Sequence, residues 1–340
     1  MSDNKKISRR RFAAGLAVAG GSLLFTRRLR AADFELRNFH NQPADSPQHK
    51  RLIEMWTAIE QETRGRVHCT VSPDNGRTPG SDPAVFKMLV DGQLDFFNLN
   101  GGIIGNLVPP VNVQGIPFAF RNEAQVYRAI DGDLGQYLAQ EMRAKGIYAV
   151  PGACFQNGFR CISSSLRPVR TAADLQGFKM RTPDAPIYTE CWKALGAEVV
   201  VANFDQLYAT LRDKKADGQD NPLNVVELLK LYEVQKYESM TLHMWSGFNL
   251  IGNLKKWESL PADIQGVIQR NAVKYVRLQR NDNDTLNNSL RGTLERRGMV
   301  FNDVDPASFK AMLGGYYAHW KSVIGARTWS LMEGHVGKMG

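Results

Sequence analysis

Apolar and polar positions along this chain switch repeatedly between a two-residue and a 3.6-residue period, and the switches alternate strand with helix. Residues 33–38 alternate, with Phe34 and Leu36 on one face, and predict a strand. Residues 46–63 place Leu52, Ile53, Met55, Trp56 and Ile59 at helical spacing. A strand at 66–72, a short helix at 82–91, a strand at 94–99 and a helix over 123–143 follow. After a strand at 147–150 the pattern resumes with strand 159–163, helix 171–175, strand 179–182, helix 184–195, strand 198–201 and helix 204–213. Such alternation predicts an α/β fold with largely parallel sheets.

The stretch 262–297 is different. It lacks proline, has only Gly266 and Gly292 as weak points, and repeats apolar residues from Ile264 to Leu278 at helical spacing. Unbroken, it would reach roughly 50 Å and brace two lobes. A break near 281–284 into two helices is the alternative the sequence leaves open.

At 340 residues and 43% hydrophobic, the chain is long enough for two sizeable cores. Its formal charge of +9 changes meaning once the first 31 residues are set apart, because they hold eight Lys/Arg and one Asp, or +7 of the total. Ser8-Arg9-Arg10-Arg11-Phe12 followed by a small-residue apolar run over 13–25 reads as a twin-arginine signal peptide, with cleavage after Ala31 or Ala32 and export to the periplasm. An uncleaved anchor or a basic arm is the alternative. The remainder is near +2, without a dense basic stripe, so nucleic acid is not an expected partner.

Cys69, Cys154, Cys161 and Cys191 show no metal-type spacing. Cys154 and Cys161 are the pair close enough in sequence for a disulfide, and four thiols are the alternative. No Gly-x-Ser-x-Gly elbow, His-Glu-x-x-His or phosphate loop occurs, and the six histidines are scattered. No cofactor, metal or catalytic residue is expected.

Two polar segments carry the candidate chemistry. Gly177-Phe178-Lys179-Met180-Arg181-Thr182-Pro183 reads as a short strand ending in a guanidinium, whose planar fork of donors suits a carboxylate. Asp217-Gly218-Gln219-Asp220-Asn221-Pro222 follows one helical unit later, and Asn221 before Pro222 also has the form of a helix N-cap. Phe155, Trp245, Phe248, Phe97 and Phe120 lie beside these regions, Trp245 being the one expected to touch a ligand. They tilt the expectation toward an aromatic or keto monocarboxylate over a polyhydroxylated acid.

The order of these two segments with Gly158-Phe159-Arg160, Leu207-Tyr208-Ala209-Thr210-Leu211, Thr63-Arg64-Gly65-Arg66-Val67 and Gly115-Ile116-Pro117-Phe118-Ala119-Phe120 resembles the extracytoplasmic solute-binding proteins of tripartite ATP-independent periplasmic (TRAP) transporters. The resemblance spans residues 32–340 and departs from the family pattern at Gln206 and Asp220, where glutamate is common. It implies a two-lobed periplasmic binding fold with a long linking helix: residues 32–157 with about 246–286 in one lobe, 158–245 with about 287–340 in the other. It further implies that Arg181 grips a ligand carboxylate bidentately, that Arg160 and Asn221 assist it, and that His40, Asn41, Asn98 and Asn100 contribute from the first lobe. The implied partners are a small organic acid and the two integral membrane subunits of a cation-coupled permease. A twin-arginine-exported oxidoreductase or hydrolase, and the binding subunit of an ATP-driven importer, are the competing classes.

Overall fold

The computed structural model describes residues 32–339, so the signal-peptide expectation lies outside the described residues. The strands are β1 (Phe34–His40), β2 (Val67–Ser72), β3 (Phe96–Asn100), β4 (Ile147–Ser164), β5 (Lys179–Thr182), β6 (Glu198–Val201), β7 (Gly218–Asn221), β8 (Tyr237–Asn253) and β9 (Val300–Asn302). They form one sheet in the order β2-β1-β3-β8-β4-β7-β5-β6, with β9 against β8. The fold is α/β, as the alternation predicts.

The sheet is mixed rather than largely parallel. Pairs β1–β2, β1–β3, β5–β6, β5–β7 and β8–β9 are parallel, whereas β3–β8, β8–β4 and β4–β7 in the middle are antiparallel. The reason is that β4 and β8, of 18 and 17 residues, pair along their length and run from one half of the sheet into the other. Segments 147–150 and 159–163, predicted as separate strands, are the two ends of β4. What separates them in sequence is a series of register shifts, at Ala149/Cys154, Gln156/Gly158 and Arg160/Ile162. Gly152 and Gly158 take φ of 68° and 122° there, a region open to glycine but costly for other residues.

The helix Ala262–Arg296 is continuous over 35 residues, so the break left open near 281–284 does not occur. Its length is about 52 Å. The buried face is apolar from Ile264 to Val276 apart from Asn271, and polar in the middle, at Gln279, Arg280 and Asn283. The bulges of β4 explain the polar section. Gln279 accepts from the Gln156 N–H at 2.8 Å and donates to its carbonyl at 2.7 Å, and Asn283 donates to the same carbonyl at 2.7 Å. Buried backbone groups displaced from a ladder must find partners, and the helix supplies them with side chains. Arg280 donates to the Cys154 carbonyl and pairs with Asp131 at 2.5 Å, its guanidinium 3.9 Å from the centroid of the Tyr127 ring.

The expected single helix over 123–143 is two, Glu123–Ile130 and Asp133–Arg143. Gly132 sits at the break, where an added Cβ would lie 2.4 Å from the Arg128 carbonyl oxygen. C-terminal helices Gly314–Ile324 and Ala326–Val336 reach both halves of the molecule: Tyr317 donates to the Pro117 carbonyl, Tyr316 to that of Ile187, and Gln125 to that of His335. All four cysteines are free thiols. Cys154 and Cys161 lie seven residues apart along β4, a separation of roughly 20 Å, far beyond what a disulfide spans.

Near the start of β8, Glu238 is fully buried and neither carboxyl oxygen has a hydrogen-bond partner among the described residues. Burial pushes its pKa well above the ordinary 4.5, so the folded protein holds this proton more tightly than the unfolded chain. The stability Glu238 gives the native state is complete below pH 4.5 and is lost as pH rises toward the folded-state pKa. Urea denaturation of Glu238→Gln across that range should therefore give a shallower decline with pH than the native protein; parallel curves would refute the assignment.

Candidate functional site

β5 lies between β6 and β7 and carries Arg181 one residue before its end, fully buried. The guanidinium donates through Nε and Nη2 to the Ala202 carbonyl, at 3.0 and 2.6 Å, and these are its hydrogen bonds among the described residues. The carbonyl thus fixes the orientation of the fork and leaves Nη1 to the cavity the side chain lines. Burial and the nearby Arg160 charge lower its pKa to about 10, so it remains cationic at neutral pH. Asp220, Asp82 and Asp205 act on this charge only from a distance, none of them forming an ion pair with it, and a buried cation held in this way can take an anion from outside the chain.

Arg160 is differently placed. Its Nε meets Asp220 Oδ2 at 2.5 Å, and the guanidinium carbon lies 5.4 Å from the Tyr188 ring centroid. Asp220 Oδ2 also faces His243 Nε2 at 3.2 Å, and His243 Nδ1 faces Thr241 Oγ1 at 2.8 Å. Burial raises the Asp220 carboxyl, but the Arg160 charge and the hydrogen bonds from His243 and Arg160 prevail and hold it well below the usual carboxylate range. One arginine is therefore neutralised inside the protein, and the other is not.

The cavity is small, about 40 Å³, and lies between the two halves. Asn41, Asp82, Asn100, Ile103 and Phe248 line it from the β1–β3 half, and Asn157, Arg160, Arg181, Pro183, Tyr188, Phe204 and Asn221 from the other. Bonds cross between these sets. The Tyr188 hydroxyl donates to Asn100 Oδ1, and Asn106 Nδ2 donates to the Asp184 carbonyl at 3.1 Å. Asn100 also caps the helix Gly101–Ile104 by accepting from Gly102 N at 2.9 Å. With these links made, the cleft is in a closed arrangement.

Arg181, Arg160, Asn221, Asn100 and Asn41 are brought together from the sequence-derived set; His40, Asn98 and Trp245 are not. Strand parity turns Trp245 away from the face of Phe248, whereas Asn98 and Asn100 share a face and differ in position, Asn100 standing at the strand end and Asn98 deeper in the sheet. Asn38, His40 and Asn98 share the face beneath the helix Pro47–Glu62: Asn38 donates to Asn98 Oδ1, Trp56 donates to Asn38 Oδ1, and His40 Nε2 faces His49 Nδ1 at 2.9 Å. Burial, with the neighbouring His49, lowers His40 to about 3, so it is neutral. Asn41, one residue on, turns toward the cleft. On β8, Phe248 lines the cavity and Ser246 accepts from Asn157, while Trp245 points the other way into the main apolar core. Phe97 and Phe120 belong to that same core and Phe155 to another, so of the five aromatics only Phe248 lines the cavity.

Asn221 ends β7 and donates to Gln219 Oε1 at 2.5 Å; Pro222, not Asn221, occupies the N-cap position of the helix Leu223–Leu228. Sequence reasoning missed Asp82, Asn157, Tyr188 and Phe204. Asn157 sits in the bulged part of β4, and the others lie on a helix or turn, where no period marks a cleft-facing residue. Among the described residues no group of three or more His, Cys, Asp or Glu is arranged to hold a metal ion, and no helix is long and apolar enough to cross a membrane.

Residues 39–323 match the family model described as bacterial extracellular solute-binding protein, family 7. The 2,3-diketo-L-gulonate-binding periplasmic protein of Escherichia coli is 29% identical over 89% of both chains. Among solved structures, a TRAP periplasmic solute-binding protein from a Polaromonas species bound to D-erythronate superposes with a TM-score of 0.84 at 28% identity, covering 90% of this chain and 99% of that one. Another from Chromohalobacter salexigens with bound D-glucuronate gives 0.83 at 25% identity, covering 88% and 98%.

Proposed function

Because this chain belongs to the bacterial extracellular solute-binding proteins of family 7, we propose that it captures a small organic acid on Arg181 and delivers it to a TRAP membrane permease. Receptors of this family are periplasmic, and their fold is the two-lobed one found here. The observation that carries the ligand reading is the charge arrangement of the cleft: Arg160 is matched by Asp220, whereas Arg181 is buried and meets only a carbonyl. A guanidinium with no ion-pair partner in contact can receive one carboxylate.

The ligand class follows from the lining. Relatives bind 2,3-diketo-L-gulonate and D-erythronate, both acids rich in oxygen. The amides of Asn41, Asn100, Asn157 and Asn221 offer hydrogen bonds, and Phe248, Phe204 and Tyr188 offer apolar surface. A small monocarboxylate bearing hydroxyl or keto oxygens fits this mixture. The aromatic acid favoured by the sequence leaned on Trp245, which faces the core.

Capture proceeds by closure. With the cleft open, the acid docks on Arg181; as the lobes approach, the Tyr188–Asn100 and Asn106–Asp184 links form and water is excluded. Exclusion strengthens the ion pair, so the closed form is the one the ligand favours. In this reading the lobes are residues 32–157 with about 246–286, and 158–245 with about 287–340, joined by β4, β8 and the helix Ala262–Arg296. Export through the twin-arginine route belongs to the same reading, and replacing Arg9, Arg10 and Arg11 by lysine should keep the precursor in the cytoplasm.

The test is a thermal-shift screen of protein stripped of carried-over ligand by unfolding and refolding, against hydroxy, keto, aromatic, sugar and dicarboxylic acids. At a hundredfold excess over Kd a ligand adds about 2.7 kcal/mol of stability, enough for a clear rise in Tm. A rise confined to one acid class supports the reading; no rise with any acid ends it.

A further inference from the structure

Asp82 is a buried carboxylate in the wall of the cavity that Arg181 also lines, near enough to feel its charge without pairing with it, and nothing in the capture mechanism uses it. It is the second residue of the helix Ser81–Val90. Each oxygen already accepts one amide: Oδ1 from Asn75 Nδ2 at 2.7 Å, and Oδ2 from Asn41 Nδ2 at 3.0 Å. Gln42 in turn donates to Asn41 Oδ1 at 2.9 Å, which fixes the direction of that amide. Donors on both oxygens match the ionised, acceptor-only form, and lone pairs remain for a third donor. Burial raises its pKa above the ordinary carboxylate value, and both amides and the Arg181 charge offset only part of that rise.

We propose that Asp82 is the specificity-determining residue of this cleft, accepting a hydrogen bond from a ligand hydroxyl and rejecting a second ligand carboxylate. The inference rests on the reading of Arg181 as the carboxylate anchor. It assigns the receptor to hydroxylated monocarboxylates and excludes dicarboxylates of the same length. The physical reasons are two. An ionised carboxylate only accepts hydrogen bonds, from O–H or N–H donors, so a hydroxyl gains a partner that a methyl or a carboxylate does not. A second anion brought beside Asp82 would meet like charge in a site of low dielectric, with the remaining arginine already held by Asp220. Rejection by a fixed like charge is the repulsive half of specificity, complementing the attractive half at Arg181.

The experiment uses three four-carbon acids and isothermal titration calorimetry on the native protein and Asp82→Asn. D-erythronate presents hydroxyls, malate a second carboxylate, and butanoate neither. The native protein should bind D-erythronate at least about a hundredfold more tightly than malate. In Asp82→Asn, D-erythronate should weaken by about tenfold or more, malate should gain by a similar factor, and butanoate should stay within about twofold. A substitution that merely loosened the fold would move all three acids together, and that outcome overturns the proposal. Equal binding of malate and D-erythronate by the native protein overturns it too. Should Asp82→Asn fail to fold, Asp82→Glu keeps the charge, and malate must still be rejected. If no acid binds the native protein, the Arg181 reading fails; if acids bind and the malate to D-erythronate ratio is the same in the variant, only the Asp82 assignment fails.

Discussion

Arg181→Ala is expected to weaken binding of the transported acid by about 2–5 kcal/mol, between roughly thirtyfold and several thousandfold, with little change in the fold. The size follows from burial. The guanidinium is almost wholly shielded from water and is held by the neutral Ala202 carbonyl, so in the proposed reading the ligand carboxylate is the anion it contacts. Without Arg181 that carboxylate must enter a dry cleft with no cation to receive it, since Arg160 is committed to Asp220. Arg181→Lys keeps the charge but loses the planar fork, and should recover only part of the affinity. Stability should fall less than affinity, because Arg181 forms no ion pair in the ligand-free protein and Asp82 feels its charge only from a distance. Titration calorimetry with the acid identified by thermal shift measures the first effect, and urea denaturation without ligand the second. Unchanged affinity in Arg181→Ala would remove the site.

Asp220→Ala should produce the largest loss of stability, about 3–5 kcal/mol, because it leaves Arg160 charged and unpaired in the interior. Asp220 takes both Arg160 Nε and His243 Nε2 on one oxygen, so a single truncation orphans two donors. The double variant Arg160→Met with Asp220→Leu should lose far less than the sum of the single changes, since well-packed apolar pairs replace buried ion pairs at small cost. The same pair has a pH signature. The Asp220 carboxyl is held below its ordinary 3.8 in the folded state, so its contribution is present above pH 3.8 and disappears as acid titrates through the lower folded value. Chemical denaturation of the single and double variants at neutral and acidic pH checks both statements; additive losses would refute the coupling.

Much of the architecture was legible because burial leaves a periodic trace. Ile264, Val267, Ile268, Ala272 and Val276 announced a long helix at 3.6-residue spacing, and the strand around Arg181 was visible in the alternation of Phe178, Met180 and their neighbours. Family motifs around Arg160, Arg181 and Asn221 pointed to a carboxylate receptor, and the structure gathers these three residues with Asn41 and Asn100 around one cavity. Local chemistry suffices for that much. A strand end that carries arginine, and a turn rich in amide side chains, are properties of a few consecutive residues.

Tertiary structure decided everything that depends on which face a residue takes or which distant residue it meets. His40 and Trp245 were reasonable candidates by sequence neighbourhood, yet strand parity turns both away from the cleft, and parity is set by pairing partners far along the chain. The antiparallel centre of the sheet was hidden because the bulges of β4 break its alternation into fragments that read as separate strands. Asp82 gave no signal at all; its role arises from Asn41 and Asn75, 41 and seven residues away, meeting it beside Arg181. The pairing of Arg160 with Asp220, 60 residues apart, is likewise a product of the fold, and it leaves Arg181 as the cavity's arginine without an ion pair. The sequence by itself therefore determined the class of protein and singled out Arg181 as a candidate cation, because hydrophobic period and local motif are short-range properties. Only the folded chain decided which charges are already balanced, because charge balance in a buried site is settled by neighbours in space.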